Sequence, residues 1–274
     1  MGPKVKIVIS IKGNKNRFSL YYLIVILSAK DKNSNFAGWV VNGTQIALRI
    51  TIYAGMYRLA LGSSDSRFVN GIWAIAISQL IFGCERPQLS IQIGREIKDG
   101  TVSMYLLRPV NYINQMVFSY FGRSIPGLSS IAVFGFATAY LITGKIPINI
   151  LNLPFVICVI FLGIALAILI ETFLGMTGFW TNDTNGVQLM NHKLNLLFGG
   201  IIIPFALLPT GIAKIVRFTP WSMSLAQPGY VATHFSYTLF IEISLLIILW
   251  CFVTYLLCLY LFYKGIRKLN LGGG

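Results

Sequence analysis

Long apolar runs separated by short polar segments make up most of the chain. The six runs cover residues 37–61, 68–91, 114–142, 150–180, 194–208 and 237–263. Because a helix needs about 20 apolar residues to cross a hydrocarbon core of about 30 Å, the pattern predicts six transmembrane helices. The fifth run is the shortest, so a partial or distorted crossing is expected there. The predicted fold class is an all-α integral membrane protein.

A shorter apolar patch at residues 20–27 precedes the first run and is flanked by basic residues. It is too short to span the membrane at about 1.5 Å per residue, which favours a helix lying flat at the membrane interface. The chain then divides into a cytosolic N-terminal segment over residues 1–35, a transmembrane domain over 36–268 and a flexible tail over 269–274.

The segment between the second and third runs has the strongest local punctuation. Gly100 is placed to end one helix, Thr101 to begin the next turn, and Pro109 to stop that turn before Asn111 caps the third run. A short helix is therefore predicted inside a cytosolic loop over residues 92–113.

One face of that short helix carries Val102, Tyr105 and Leu106 at i, i+3 and i+4 spacing. We expect this face and its flanks to dock on a cytosolic partner. The predicted docking residues are Ile97, Thr101, Val102, Tyr105, Leu106 and Arg108.

Residues 209–235, between the last two runs, are rich in proline and glycine and only moderately apolar. Two short helices at the outer membrane interface are predicted, forming an extracellular helical hairpin. An irregular loop with interfacial aromatic residues is the alternative. The candidate gate residues of this region and the end of the run before it are Pro204, Pro209, Pro220 and Pro228.

Composition agrees with a membrane protein. Hydrophobic residues make up 55% of the chain and charged residues 11%, against about 25% charged in soluble domains. The net charge of +14 is explained by basic residues in the loops and termini, which by the positive-inside rule places both termini in the cytosol. The expected location is the plasma membrane, with lipids as neighbours and no nucleic-acid partner.

Catalytic chemistry is not expected. The chain has two histidines, His192 and His234, far apart in sequence, and neither an HExxH motif nor a Ser-His-Asp arrangement. Gly144-Lys145 lacks the rest of a phosphate-binding loop. We therefore predict a protein that is not an enzyme and binds no cofactor directly.

Charged residues inside the runs are the informative exceptions, because such charges are costly in a bilayer. We predict that Arg49 and Arg123 pair with Glu85 and Glu171, holding the helices together or lining an inner vestibule. Arg58, Arg86 and Glu242 lie nearer the ends of their runs and are expected to extend to the interface.

Two stretches resemble the permease subunits of type 2 ATP-binding-cassette (ABC) exporters. The first stretch contains Arg95-Glu96-Ile97, Asp99-Gly100-Thr101 and Leu106-Leu107-Arg108-Pro109-Val110. The second runs from Trp180 through Leu197, Phe198, Gly199, Gly200, Ile203, Pro204, Leu208 and Pro209 to Pro220 and Pro228-Gly229. The first 60 residues share only the general layout.

The resemblance implies a half-transporter with six spans that pairs with an identical or related permease and with two separate ATPase subunits. ATP and magnesium would be used by those subunits. Residues 97–109 would correspond to the coupling helix that docks on the ATPase, and residues 20–27 to an elbow-like interfacial helix.

Two other functions stay open from the residues alone. An ion-coupled secondary transporter would use a midplane ion site and internal repeats, and a membrane interaction or immunity protein would transport nothing. The candidate substrates are hydrophobic drugs, peptides, lipids or glycans, with a preference for amphiphilic molecules.

Overall fold

The computed structural model describes residues 17–29, 36–61, 66–83, 88–106, 110–181, 184–201 and 210–271. Within these ranges the structure is helical and contains no strand. The α-helices are α1 (Arg17–Ala29), α2 (Phe36–Leu61), α3 (Ser66–Phe82), α4 (Gln88–Lys98), α5 (Val102–Leu106), α6 (Tyr112–Thr143), α7 (Leu153–Met176), α8 (Asn185–Phe198), α9 (Thr210–Arg217), α10 (Gln227–Thr233) and α11 (Tyr237–Leu271). Short 3-10 turns flank α7 at Ile150–Asn152 and Thr177–Phe179, and a π-helical turn at Ser222–Ala226 leads into α10.

Three helical stretches in the described part of the chain are long and apolar enough to cross a membrane. They are Tyr112–Thr143, Ile150–Phe179 and Tyr237–Arg267, and they coincide with the predicted third, fourth and sixth spans. Helix α3 is apolar but shorter, whereas α2 has 26 residues and is diluted by polar side chains. The protein is thus membrane-embedded, and its described part is helical with three clear candidate spans.

Local capping sets the ends of α4 and α6 as the sequence predicts. The side-chain oxygen of Asn111 accepts a 2.9 Å hydrogen bond from the Ile113 amide at the start of α6. Helix α6 ends at Gly144, which has a left-handed φ of 64°, and Gly100 follows α4 with a φ of 69°. Glycine adopts this conformation without the steric cost of a Cβ.

The predicted second span, residues 68–91, is interrupted. Helix α3 ends at Phe82 and α4 begins at Gln88, with Pro87 between them in the sequence. Gly83, directly after α3, is in a turn, and residues 84–87 lie outside the described part of the chain. The predicted second run is therefore covered by two helices instead of the one helix expected.

The predicted fifth span, residues 194–208, starts too late. Helix α8 begins at Asn185 and ends at Phe198, so the polar residues before the apolar run are helical as well. The end of this predicted run, residues 202–209, lies outside the described residues.

Packing divides the bundle around two long helices. Helix α7 packs along α11 and against α4, the π-helical turn and α10, whereas α6 packs along α1, α2 and α3. One end of the bundle, here called the α5 end, holds α5 and the stacked rings of Tyr112 and Phe262. The opposite end, here called the hairpin end, holds Trp73, whose indole nitrogen donates to the Lys145 carbonyl at 2.9 Å.

The apolar patch predicted to form an interfacial helix, residues 20–27, lies within α1. Tyr21 stacks on Phe118 of α6 with ring centroids 4.8 Å apart, and its hydroxyl accepts a hydrogen bond from the Asn114 amide at 3.4 Å. Helix α1 is therefore attached to the half of α6 nearer the α5 end.

Candidate functional site

Helix α5 lies between α4 and α6 and is attached to the bundle by one side only. Val102 is 0% exposed, and the Tyr105 ring contacts the Tyr112 ring edge-on, with centroids 5.2 Å apart. On the other side Ser103 is exposed and Met104 is 64% exposed. The helix is therefore held firmly while it presents Ser103 and Met104 outward.

Two of the predicted docking residues face the wrong way for that role. Ile97 and Val102 are 3% and 0% exposed, so the prediction that they contact a partner is wrong. The physical reason is that their apolar side chains anchor α4 and α5 in the core of the bundle. Met104, which the sequence pattern did not single out, is more accessible.

The other predicted docking residues are placed less decisively. Tyr105 and Thr101 are half-buried, and the Thr101 hydroxyl donates to the Glu96 carbonyl at 3.0 Å, which ties the turn before α5 to α4. Leu106 ends α5, but its side chain lies outside the described part of the structure, as does all of Arg108. Their docking role stays a prediction.

A chain of hydrogen bonds connects α4 with α6 beside this helix. Arg123 Nη1 donates to Gln92 Oε1 at 2.9 Å, and Gln92 Nε2 donates to Glu96 Oε1 at 2.7 Å. The Tyr112 hydroxyl donates to Glu96 Oε2 at 2.8 Å. Because hydrogen bonds to a carboxylate are stronger than neutral ones, this chain fixes α4 relative to α6.

A second polar network surrounds Glu171 on α7, which is 0% exposed. Its Oε1 atom accepts hydrogen bonds from Gln188 Nε2 at 3.0 Å and Asn191 Nδ2 at 3.2 Å. The Ser90 hydroxyl donates to Gln188 Oε1 at 2.8 Å, and Trp221 Nε1 donates to Asn191 Oδ1 at 2.8 Å. Helices α4, α7 and α8 and the segment after α9 therefore meet at one buried carboxylate.

The predicted ion pairs between Glu171 and the two arginines do not form. Glu171 takes its hydrogen bonds from amide side chains of α8, while Arg123 donates to α4 and Arg49 lines a separate cavity. The physical reason is that α8 starts earlier than predicted and brings neutral donors to the carboxylate. Glu85 lies outside the described residues, so its pairing stays a prediction.

The cavity has a volume of about 520 Å³ and lies between α2, α8 and the end of α3. Asn42, Gln45 and Arg49 line it from α2, at the i, i+3 and i+7 spacing that puts side chains on one helix face. Gln188 and His192 line it from α8. The lining is mixed, because Ile46, Phe82 and Ile131 also line the cavity beside these polar side chains.

Arg49 stands near the middle of α2. It follows Phe36 by thirteen residues, about 20 Å along the axis at 1.5 Å per residue. In a helix that crosses a bilayer, as the sequence predicts for α2, a cation at this depth costs about 2.5–3.5 kcal/mol on insertion scales. Such a charge calls for a water-filled chamber or an anionic partner.

The predicted outer hairpin folds back into the bundle. Residues 222–229 are all buried, and the Ser78 hydroxyl of α3 donates to the Leu225 carbonyl at 2.9 Å. Trp250 Nε1 donates to the Phe218 carbonyl at 3.1 Å, about 20 Å along α11 from its first residue. Two short helical segments exist as predicted, but the second is buried rather than interfacial.

Two of the four predicted gate residues lie in the described hairpin. Pro220 is half-buried and Pro228 is buried. Pro228 has no amide hydrogen for the carbonyl four residues earlier, in keeping with the wider π-helical winding immediately before it. Its ring also lies 2.9 Å from where a Cβ on Gly163 of α7 would be. Pro204 and Pro209 lie outside the described residues.

Residues 64–273 match the family model described as ABC-2 family transporter protein. The chain belongs to the ABC-2 transporter family. The match covers more than three quarters of the chain and includes every described helix from α3 to α11. No curated protein sequence matches the chain.

As an ABC-2 permease, the protein is a membrane component of a transporter and not itself the catalytic part. Helix α5, the Glu171 network and the re-entrant hairpin all lie within the matched residues. Helix α2, which carries Arg49, precedes them. The cavity is thus lined by α8, which lies within the family match, and by α2, which lies outside it.

The sequence analysis did not predict the polar residues of α8 that contact Glu171 and line the cavity. The apolar-run pattern puts residues 181–193 in a loop, although Gln188 and Asn191 are spaced for one helix face. Asn42 and Gln45 repeat that spacing on α2. Polar residues at helical spacing next to an apolar run were the signal available for both.

Proposed function

We propose that this chain is the permease subunit of an ABC exporter, pairing with a second permease and with two separate ATPase subunits. The observation that carries the proposal is α5, a short helix held at one end of an ABC-2 membrane domain with Ser103 and Met104 (64% exposed) turned outward. The ATPase subunits would bind ATP and magnesium.

Three contacts suit α5 for passing motion into the membrane domain. The Tyr105 ring packs on Tyr112 at the start of α6, and Val102 is locked in the core. The turn before α5 is bonded to Glu96 of α4, which is itself bonded to Tyr112. A displacement of α5 by the ATPase would therefore move α4 and α6 together and bias the bundle between two arrangements.

The proposed topology has six spans, to which α2, α3, α6, α7, α8 and α11 belong. The α5 end would face the cytosol and the hairpin end the outside. Support comes from Arg95 and Lys98 of α4, beside α5, and from the seven basic residues that the sequence carries in residues 1–35, since the positive-inside rule puts such residues in the cytosol. Both termini would then be cytosolic, in the plasma membrane.

The test is capture of an ATPase by the full-length chain, co-expressed with the ATPase encoded by a neighbouring reading frame. Met104→Asp is expected to reduce the captured ATPase about tenfold or more, because an exposed apolar contact at an interface centre is replaced by a charge. Arg267→Glu on α11, also exposed near the α5 end, serves as the matched control and should capture the wild-type amount.

Two outcomes would contradict the proposal. If the wild-type chain captures no ATPase, the proposed pairing with separate ATPase subunits is wrong. If Met104→Asp captures as much as wild type, docking does not occur at α5. Arg108→Glu is a second variant in the same segment, and it should also reduce the captured ATPase.

A further inference from the structure

The cavity between α2 and α8 combines a cation with neutral polar groups. Arg49 is exposed and shares its helix face with Asn42 and Gln45. His192 faces the cavity from α8, with its ring 5.5 Å from that of Phe82. Among the described residues that line the cavity, Arg49 is the charged side chain and none is a carboxylate.

Arg49 is not neutralised by the residues around it that the structure describes. No hydrogen bond or ion pair joins it to another described residue, and its electrostatic neighbour among them is the imidazole of His192. The buried carboxylate of Glu171 is shielded from the cavity, because Gln188 both lines the cavity and donates to that carboxylate. Among the described residues none accepts a hydrogen bond from the Arg49 guanidinium, whose donors face a cavity where a ligand could bind.

We propose that this cavity binds the anionic headgroup of an amphiphile, a phosphate or a carboxylate, with Arg49 as the charged contact. A guanidinium offers paired donors that match the oxygens of such groups, and the side-chain amides of Asn42 and Gln45 supply further neutral donors. A volume of about 520 Å³ suits a headgroup, since small-molecule sites measure about 300–1,000 Å³.

The surroundings of the cavity favour an amphiphile over a free anion. Leu48 and Ile52, next to Arg49 on α2, are 60% and 62% exposed, and Leu189 at the α8 side is 61% exposed. An acyl chain attached to the headgroup could pack along these side chains, whereas a soluble anion has no apolar part with which to contact them. The inference rests on the proposed function, because it names the substrate class of the same permease.

The test is equilibrium binding of radiolabelled dodecyl phosphate to the full-length chain in nanodiscs of zwitterionic lipid, with empty nanodiscs as the blank. Arg49→Gln is expected to weaken binding about tenfold, the loss of one charge-assisted contact. Arg58→Gln is the matched control, because Arg58 is an exposed arginine on the same helix that does not line the cavity. It should bind as wild type does.

Competitors separate the possible sources of the anion. Unlabelled dodecyl phosphate should displace the label, while dodecyl maltoside and inorganic phosphate should not do so at matched concentration. If inorganic phosphate displaced the label at the same concentration as unlabelled dodecyl phosphate, the assignment of an amphiphile would be overturned. Equal binding by wild type and Arg49→Gln would overturn the site itself.

A second variant allows the site to be tested if Arg49→Gln does not fold. Gln45→Glu places a carboxylate one turn from Arg49 and should weaken dodecyl phosphate binding to a similar degree by occupying the guanidinium. This assay needs no ATPase. If the chain binds dodecyl phosphate but captures no ATPase, the proposed function is contradicted and the site is not. If the chain captures the ATPase but does not bind dodecyl phosphate, the site is contradicted and the proposed function is not.

Discussion

The indole nitrogen of Trp221 donates a 2.8 Å hydrogen bond to the side-chain oxygen of Asn191. Asn191 in turn donates to the buried carboxylate of Glu171. A residue of the re-entrant hairpin is thereby connected to α8 and, through it, to α7. The hairpin contributes to the interior of the bundle and to the position of α8 beside the cavity.

Replacing Trp221 with Phe keeps a ring in place but removes this donor. Asn191 is 3% exposed, so its oxygen would be left buried without its partner, and we expect a loss of about 1 kcal/mol in unfolding free energy. Thermal unfolding of the purified protein in detergent would measure it. Trp180→Phe, at a site 40% exposed, is the control, and an equal effect of the two would argue against a structural hydrogen bond.

Glu171→Leu should destabilise the protein far more than Glu171→Gln. Leucine leaves the Gln188 and Asn191 donors unpaired in a buried site, at a cost of about 3 kcal/mol in total, whereas the glutamine oxygen can still accept them. The readouts are the yield of monodisperse protein and its unfolding midpoint. Equal stability of the two variants would contradict the network.

Gly229→Ala should disrupt the packing of α10, the second helix of the hairpin, against α3. A Cβ at this position would lie 2.6 Å from the Ala74 carbonyl oxygen, and backbone cannot move aside as a flexible side chain can. We expect a loss of about 1–3 kcal/mol. Gly55→Ala on α2 is the control, because apart from the adjacent backbone of its own helix no atom lies within 4 Å of its Cβ position. The gain in helix propensity there should make it neutral or slightly stabilising.

Tyr112→Phe should loosen α4 from α6. It removes the hydroxyl that donates to Glu96 at 2.8 Å, and a hydrogen bond to a charged group contributes about 1.5–3 kcal/mol. Hydrogen exchange should show faster local opening of α4 and α5, by about tenfold or more. Tyr140→Phe, at an exposed position near the hairpin end of α6, is the control and should leave hydrogen exchange in α4 and α5 unchanged.

Several features followed from local sequence alone. The apolar runs predicted the long helices α6, α7 and α11, and the short helix α5 was predicted between Gly100 and Asn111. Such signals are legible because hydrophobic spans, caps and left-handed glycines depend on residues close together in the chain. The resemblance to ABC permeases rested on these same stretches and is confirmed by the family match.

The tertiary structure alone decided which side chains meet. Nothing in the sequence around Val102 states that its face turns inward, and Glu171 meets amides from α8 rather than an arginine because α8 starts earlier than its apolar run. The contacts that matter most join residues far apart in sequence, such as Ser90 with Gln188. Their pairing depends on the rotation and depth of whole helices, which packing of the entire bundle determines and a local pattern does not.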